Sequence, residues 1–169
     1  VNILKPGPGV GGHCIAVDPW FIVSSAPEIS QLIYTARKIN DMKSDWVIDK
    51  VYKVINELIS KNPKKNAKDI TIACFGIAFK PDIDDLRESP SLFIVENLVK
   101  EKNCKFLVVE PNIQHLPDSL QKSTLIDHND IALQSCDIAL LLVNHKEFNS
   151  FFKSSSPECI IIDACGILD

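Results

Sequence analysis

The sequence lacks the features that mark nucleic-acid-binding and membrane-spanning proteins. Its 18 lysines and arginines are outnumbered by 22 aspartates and glutamates, and the net charge of −4 offers no basic field to a polyanion. No apolar run approaches the roughly 20 residues that cross a bilayer. We therefore expect neither a nucleic-acid partner nor a membrane partner, and an anionic ligand would need a few local cations.

The six cysteines show no spacing typical of a metal site. None forms a C-x-x-C pair, and His13 and Cys14 are adjacent, whereas neighbouring residues seldom both bind one ion. Cys74, Cys136 and Cys159 fall within or beside apolar runs, as reduced core cysteines do. We expect no metal and a reducing, cytoplasmic compartment. The chain begins with neither an initiator Met nor the apolar region of a signal peptide, and we expect a fragment of a longer protein.

Glycine is scarce, and four of the six glycines lie in one stretch. Residues 6–12 contain these four glycines and two prolines, a composition that excludes a helix or a packed strand. His13 and Cys14 follow at once, and Asp18 comes four residues after the cysteine. A thiol on a glycine-lined wall is accessible to a substrate, as covalent catalysis requires. The alternative is a buried structural cysteine, the more common place for a free thiol.

A long helical pattern follows the glycine-rich stretch. Residues 24–28, with Pro27 and Glu28, indicate a helix start, and apolar residues recur at helical spacing from 29 to 59. The pattern stops before Pro63, and polar residues at 41–45 favour a bend. Such a helix, about 50 Å long, exceeds a small domain, so we expect its apolar face to contact another chain or domain. The alternative is two core helices placed end to end.

From Asp69 onward, apolar strands alternate with helices. Strands are expected at 70–75, 106–110, 124–126, 138–143 and 159–162. Helices are expected at 90–102, 130–134 and 146–152, the first capped by Ser89. This alternation predicts an α/β fold in which residues 67–169 form a Rossmann-like parallel sheet with helices on both faces. Residues 1–66 would form a separate region with the cysteine loop and a long linker helix that mediates dimerisation.

The connection after the first strand does not have the composition of a dinucleotide site. It contains one glycine, Gly76, and its helix begins about thirteen residues later, whereas a pyrophosphate needs closely spaced glycines at a helix N-terminus. We expect no NAD binding by this sheet alone. Phe79, Lys80 and Arg87 would lie at the ligand-binding edge, where Phe79 can stack and both cations can meet phosphate. The alternative is that both cations pair with nearby carboxylates in solvent.

Two motifs resemble the UDP-glucose/GDP-mannose dehydrogenase family. Residues 7–21, GPGVGGHCIAVDPWF, are similar to its catalytic cysteine loop, in the form found in the branch that acts on UDP-N-acetylhexosamines. Residues 76–90, GIAFKPDIDDLRESP, are similar to its nucleotide-binding domain. The two motifs stand in the order of the family, and the resemblance covers nearly the whole chain.

The resemblance implies roles for residues at both motifs. The family oxidises the C6 alcohol of a nucleotide sugar to a carboxylate with two NAD⁺, which makes Cys14 the nucleophile and Asp18 a group that positions or activates water. It implies substrate contacts from Lys5, Gly7, Gly9, Val10, Gly11, Gly12, Phe79 and Lys80. It implies cofactor contacts from Cys14, Val17 and Arg87. His13 differs from the serine of UDP-glucose enzymes, and selectivity, tuning of the thiol and a structural role remain open for it.

The chain departs from the family in two places. The N-terminal NAD-binding domain is absent from these residues, so we expect no turnover by the chain alone. Cys165 stands where the family usually has a basic residue, so we expect weaker nucleotide binding. A homodimer through the long helix and a UDP-sugar are the partners that the resemblance implies. The alternative function is a non-catalytic nucleotide-binding or dimerisation module of the same fold.

Overall fold

A computed structural model describes residues 5–101, 103–154 and 158–168 of the chain. Its helices α1 to α5 span Asp18–Ser25, Gln31–Lys61, Pro90–Glu101, Asn129–Gln134 and Lys146–Ser154. Its strands β1 to β5 span Thr71–Phe75, Lys105–Val109, Thr124–Leu125, Ile138–Leu141 and Ile160–Asp163. Every strand and helix predicted after Asp69 is present with its bounds shifted by up to two residues, apart from the helix end at Lys102, which lies outside the described residues.

The five strands form one parallel sheet in the order β3-β2-β1-β4-β5. Strand β1 is central: Cys74 lies beside Val108 of β2 on one side and Leu140 of β4 on the other. Helices cover both faces of the sheet, which is why its strands are continuous apolar runs. The predicted α/β, Rossmann-like fold is confirmed.

Alternate residues of β1 serve the two faces of the sheet. Ile72 and Cys74 belong to a buried cluster that includes residues of α2 and α3. Ala73 and Phe75 belong to a second cluster, with residues of α4 and α5. The period of two along a strand produces this division. Because the strands are all parallel, the loops that follow their carboxyl ends lie at one edge of the sheet.

Helix α2 is a single helix of 31 residues, about 46 Å long. Its second half packs on α3, where Val47, Val51 and Ile55 are buried. Its first half leaves apolar side chains in solvent, among them Leu32, which is 82% exposed. Residues 41–45, where we expected a bend, lie inside the uninterrupted helix. The alternative of two helices placed end to end is wrong.

The start of α2 was predicted too early because a preceding helix was missed. Pro27 lies in the connection between α1 and α2, and α2 begins at Gln31. The acidic residue and proline that open a helix are instead Asp18 and Pro19, in the first turn of α1. Helix α1 therefore begins four residues after Cys14.

Candidate functional site

The glycine loop, residues 6–12, packs directly against the β1–α3 loop, residues 76–89. A Cβ atom on Gly11 would lie 2.9 Å from Cβ of Phe79, and one on Gly12 would lie 2.8 Å from the Phe79 ring. The Gly12 N–H donates to the Arg87 carbonyl oxygen at 3.2 Å. Because no side chain fits at either glycine, the two predicted motifs meet backbone to backbone.

Polar residues of α2 hold the glycine loop from its other side. The side-chain oxygen of Asn40 accepts the Val10 N–H at 3.0 Å. The buried hydroxyl of Ser44 donates to the Pro8 carbonyl oxygen at 3.3 Å. The polar interruption of the apolar stripe is thus an anchoring site for the loop. Gly9 packs on Asn40 as well, whereas a Cβ on Gly7 would meet no atom of the described residues within 4 Å.

Cys14 is exposed at the end of the glycine loop. Its carbonyl oxygen accepts the N–H groups of Val17 at 3.0 Å and Asp18 at 2.8 Å, in a tight turn that leads into α1. Asp18 is exposed in the first turn of that helix, and Val17 is half-buried. Cys14 also contributes to the electrostatic environment of Arg87, as His13 does to that of Asp85. The cysteine turn therefore faces the β1–α3 loop.

The two cations of the β1–α3 loop differ in their pairing. Arg87 forms an ion pair with Asp85. Its Nε lies 3.0 Å from both carboxylate oxygens, and its Nη2 lies 2.6 Å from Oδ2. This hydrogen bonding lowers the pKa of the Asp85 carboxyl to about 2 and raises the pKa of the Arg87 guanidinium. Lys80 is exposed, with Nζ 5.4 Å from the centre of the Phe79 ring. Among the described residues, no carboxylate lies within ion-pair distance of Lys80.

A buried polar network below the β1–α3 loop was not predicted. Glu110 follows β2 and His145 follows β4; they are 3% and 0% exposed, and His145 Nε2 lies 3.2 Å from the Glu110 carboxylate. Glu110 Oε2 accepts the N–H groups of Ile77 at 2.8 Å and Ala78 at 3.1 Å. Burial alone would raise the pKa of Glu110, but hydrogen bonds from His145 and these N–H groups hold it below its ordinary value. The sequence signal was a polar residue just after each apolar run: Glu110 directly follows β2, and His145 lies two residues after Val143.

Cys165 stands at the position where the resemblance led us to expect a basic residue. It lies just after β5, where its N–H and that of Gly166 donate to Asp163 Oδ1 at 3.0 and 2.8 Å. Burial raises the pKa of the Cys165 thiol above its ordinary value. At this position, where the family usually has a basic residue, the chain therefore has a neutral, half-buried thiol.

Of the predicted site residues, the structure brings together Gly11, Gly12, Phe79 and Arg87, with Cys14 beside them. Lys5, at the start of the described residues, is exposed. No group of three or more metal-binding side chains gathers anywhere in the described ranges. The helices of this part of the chain are too short or too polar to cross a membrane.

Two parts of the chain match domains of one protein family. Residues 73–169 match the UDP-binding domain of the UDP-glucose/GDP-mannose dehydrogenase family, and residues 1–42 match its central domain. The chain belongs to the UDP-glucose/GDP-mannose dehydrogenase family. The resemblance inferred from the two motifs is confirmed.

Relatives in this family are similar along nearly the whole chain. The UDP-N-acetyl-D-mannosamine dehydrogenases of Yersinia pestis and Escherichia coli K12 are each 47% identical over 167 residues, which is 99% of this chain and 40% of theirs. The NDP-N-acetyl-D-galactosaminuronic acid dehydrogenase of Ralstonia nicotianae is also 47% identical, over 99% of this chain and 37% of its own. The chain thus spans about two fifths of the length of these relatives.

Solved structures of the family share the fold. A UDP-N-acetyl-mannosamine dehydrogenase from Staphylococcus aureus is 31% identical with a TM-score of 0.70, covering 99% of this chain and 41% of that one. A UDP-D-ManNAc dehydrogenase from Pyrococcus horikoshii is 29% identical with a TM-score of 0.74, covering 100% of this chain and 38% of that one. The arrangement of α2 and the parallel sheet is therefore that of this family.

Proposed function

We propose that this chain is the cysteine-bearing, UDP-binding part of an NAD-dependent nucleotide-sugar 6-dehydrogenase. In this proposal, residues 1–66 supply the cysteine loop and the dimerisation helix, and residues 67–169 supply the UDP-binding domain. The observation that carries the proposal is the contact of Gly11 and Gly12 with Phe79 and Arg87. It joins the exposed thiol of Cys14 to the loop with the unpaired cation Lys80.

The two sides of this contact suit the two ends of a nucleotide sugar. Lys80 can meet a phosphate, and the Phe79 ring offers a face for packing. The glycine loop can approach the sugar closely, because Gly7 has no side chain and a Cβ placed there would point into open space among the described residues. We infer that Lys5, Gly7, Gly9, Val10, Gly11 and Gly12 line the sugar and phosphates, together with Phe79 and Lys80.

Cys14 acts as the nucleophile in this proposal. Its thiolate attacks the C6 aldehyde and forms a thiohemiacetal; oxidation of that adduct yields a thioester, which water cleaves to release the carboxylate and the free thiol. Asp18, one helical turn beyond the thiol at the exposed start of α1, positions or activates that water. His13 is exposed beside the thiol, where it contributes to sugar selectivity or to tuning of the cysteine.

The described sheet does not fit a dinucleotide. Gly76 is the one glycine between β1 and α3, and α3 begins only at Pro90, so no pyrophosphate cradle forms at its N-terminus. Cys14, Val17 and Arg87 would instead face the nicotinamide of an NAD held by another domain. An NAD⁺ bound there would supply a hydride acceptor, and two NAD⁺ in succession would be needed for the change from alcohol to carboxylate.

The names of the relatives support a substrate class. Those described above are named as UDP-N-acetyl-D-mannosamine dehydrogenases and as an NDP-N-acetyl-D-galactosaminuronic acid dehydrogenase. We infer a UDP-N-acetylhexosamine, with UDP-N-acetyl-D-mannosamine as the first substrate to test. The uronate product would serve polysaccharide biosynthesis, and a cytoplasmic location remains a prediction from cysteine usage.

The proposal is tested with the protein that contains this chain together with an N-terminal NAD-binding domain. UDP-N-acetyl-D-mannosamine, UDP-N-acetylglucosamine and UDP-glucose are each supplied with NAD⁺, and uronate and NADH are measured. We expect two NADH per uronate formed, with an N-acetylhexosamine as the preferred sugar. UDP binding without any turnover would support the non-catalytic module instead.

A further inference from the structure

A buried pair of side chains fixes the backbone on both sides of Phe79 and Lys80. Glu110 accepts the N–H groups of Ile77 and Ala78, immediately before Phe79. His145 Nδ1 accepts the N–H of Asp82 at 2.9 Å, two residues after Lys80. The proposed phosphate-binding segment is thus tethered at each end to one continuous Glu110–His145 unit.

The hydrogen bonds define the roles of the two ring nitrogens of His145. A backbone N–H can only donate, so Nδ1 of His145 must be the unprotonated acceptor for Asp82. The ring proton therefore resides on Nε2, where it is donated to the Glu110 carboxylate 3.2 Å away. Oε1 of Glu110 accepts the backbone N–H of Asn112 at 3.3 Å and the side-chain amide of the same residue at 3.2 Å. In this arrangement Glu110 accepts from four neighbouring amide groups as well as from the His145 ring, and His145 accepts at Nδ1 and donates at Nε2.

The tether at Asp82 holds a backbone shape that the residue would not adopt unaided. Asp82 has φ of 61°, in the left-handed region that non-glycine residues seldom occupy. Its side chain accepts the N–H of Lys146 at 3.1 Å, so it contacts both His145 and the residue after it. Strained backbone of this kind persists only where its surroundings impose it. Here the surroundings are the start of α5.

We propose that Glu110 and His145 are positioning residues, which hold the Phe79–Lys80 segment in the shape that binds the diphosphate of a UDP-sugar. This inference rests on the proposed function for the identity of the ligand. The two side chains bind loop backbone, and the His145 ring also packs edge-on against Phe148 at 5.2 Å between ring centres, so a core variant is needed to separate loss of the loop hydrogen bonds from loss of packing. Neither side chain touches the ligand, because both are buried beneath the loop.

The test compares two substitutions of His145 with a matched core variant. His145→Gln keeps an amide oxygen for Asp82 and an amide N–H for Glu110, whereas His145→Leu keeps neither. Phe152→Leu, in the core cluster of Ala73 and Phe75, loses buried volume without contacting the loop. UDP affinity is measured by calorimetry on the whole chain, together with thermal unfolding. We expect His145→Leu to weaken UDP binding about tenfold, equivalent to about 1.4 kcal/mol, and His145→Gln and Phe152→Leu to bind as the unaltered chain does.

A second measurement reports the order of the β1–α3 loop in the absence of nucleotide. Hydrogen exchange at the amides of Ile77, Ala78 and Asp82 should accelerate in His145→Leu and stay slow in His145→Gln and Phe152→Leu. Unchanged exchange and unchanged UDP affinity in His145→Leu would overturn the positioning role and leave the proposed function intact. Failure of the unaltered chain to bind UDP would count against the proposed function, while the exchange data would still decide whether the pair holds the loop.

Discussion

The N–H of Gly12 donates to the carbonyl oxygen of Arg87 across 3.2 Å, and so links the segment before Cys14 to the segment after Lys80. Both partners are backbone groups, and their approach requires that no side chain intervene. A residue with a thiol and a residue with an unpaired cation are brought to one surface in this way, although they are far apart in sequence. The predictions below test each side of this junction.

Replacement of Cys14 by serine should abolish uronate formation in the protein that also contains the NAD-binding domain. Serine lacks the acidity of a thiol and captures an aldehyde poorly. UDP-sugar affinity should stay the same, because the thiol makes no contact with the nucleotide in the proposed arrangement. Product analysis and calorimetry measure the two effects, with Cys136→Ser as the control. Near-normal acid production by the Cys14 variant would remove this residue from the mechanism.

Two alanine substitutions in the glycine loop should differ in what they weaken, one the stability of the fold and the other the binding of the UDP-sugar. Gly11→Ala places a Cβ 2.7 Å from Cδ of Pro90 and 2.9 Å from Cβ of Phe79, so it should destabilise the fold by about 1–3 kcal/mol. Gly7→Ala has open space and should leave stability unchanged while weakening UDP-sugar binding. Denaturant unfolding and calorimetry separate these outcomes. Equal stability losses at both positions would show that the two loops do not pack as described.

Substitution of Lys80 by alanine should weaken UDP binding about tenfold or more, since a charge-assisted hydrogen bond contributes about 1.5–3 kcal/mol. Arg87→Ala should cost less UDP affinity, because its guanidinium is already engaged by Asp85. NAD should not bind detectably to the isolated chain. Calorimetry on both variants, with Lys105→Ala as a surface control, measures this. NAD binding tighter than UDP binding would refute the assignment of this edge.

The exposed first half of α2 should form the interface of a homodimer. Leu32, Ile39 and Met42 are 82%, 63% and 61% exposed, whereas the apolar face of the second half of the helix is buried against α3. Leu32→Glu should give a folded monomer, because an unpaired charge in an apolar interface is costly. Gln31→Glu adds the same charge at a polar position and should leave the dimer intact. Sedimentation velocity distinguishes the two, and a monomeric unaltered chain would disprove the interface.

Cys159 should react with iodoacetamide at lower pH than an ordinary thiol. A hydrogen bond from Cys136 stabilises its thiolate and lowers its pKa, and both thiols line a cavity of about 670 Å³ beneath β4 and β5. A lowered pKa keeps the reactive thiolate populated as the pH falls, so Cys136→Ala should shift the alkylation profile of Cys159 to higher pH. Mass spectrometry resolves each cysteine. The same profile in both proteins would exclude this interaction.

Local patterns in the sequence were sufficient to predict the sheet and its helices. Continuous apolar runs at β1, β2 and β4 indicated buried parallel strands, and Ser89 was recognised as a helix cap before Pro90. Its hydroxyl oxygen accepts the Leu92 N–H at 3.2 Å, as an N-cap does. Both signals reside within a few neighbouring residues, so tertiary contacts were not needed to find them.

The anchoring contacts of the site required the tertiary structure. Ser44 lies in the polar stretch 41–45 that interrupts the apolar stripe, and Asn40 directly precedes that stretch. Only the path of the glycine loop shows what the two side chains bind. Glu110 and His145 are 35 residues apart and meet because β2 and β4 flank β1. Helix α1 was missed because its opening Asp-Pro was attributed to the catalytic motif rather than to a helix start.

Helix α2 carries three features in order along its axis. These are an exposed apolar surface, the residues Asn40 and Ser44 that anchor the glycine loop, and the core residues that begin at Val47. An α-helix turns about 100° with each residue. Inserting or deleting a single residue between Ser44 and Val47 would swing both anchors about 100° around the axis while the core half remained seated. The glycine loop would then lose its support even though every side chain was still present. The exposed residues 45 and 46, between Ser44 and Val47, can therefore vary in their side chains but not in their number.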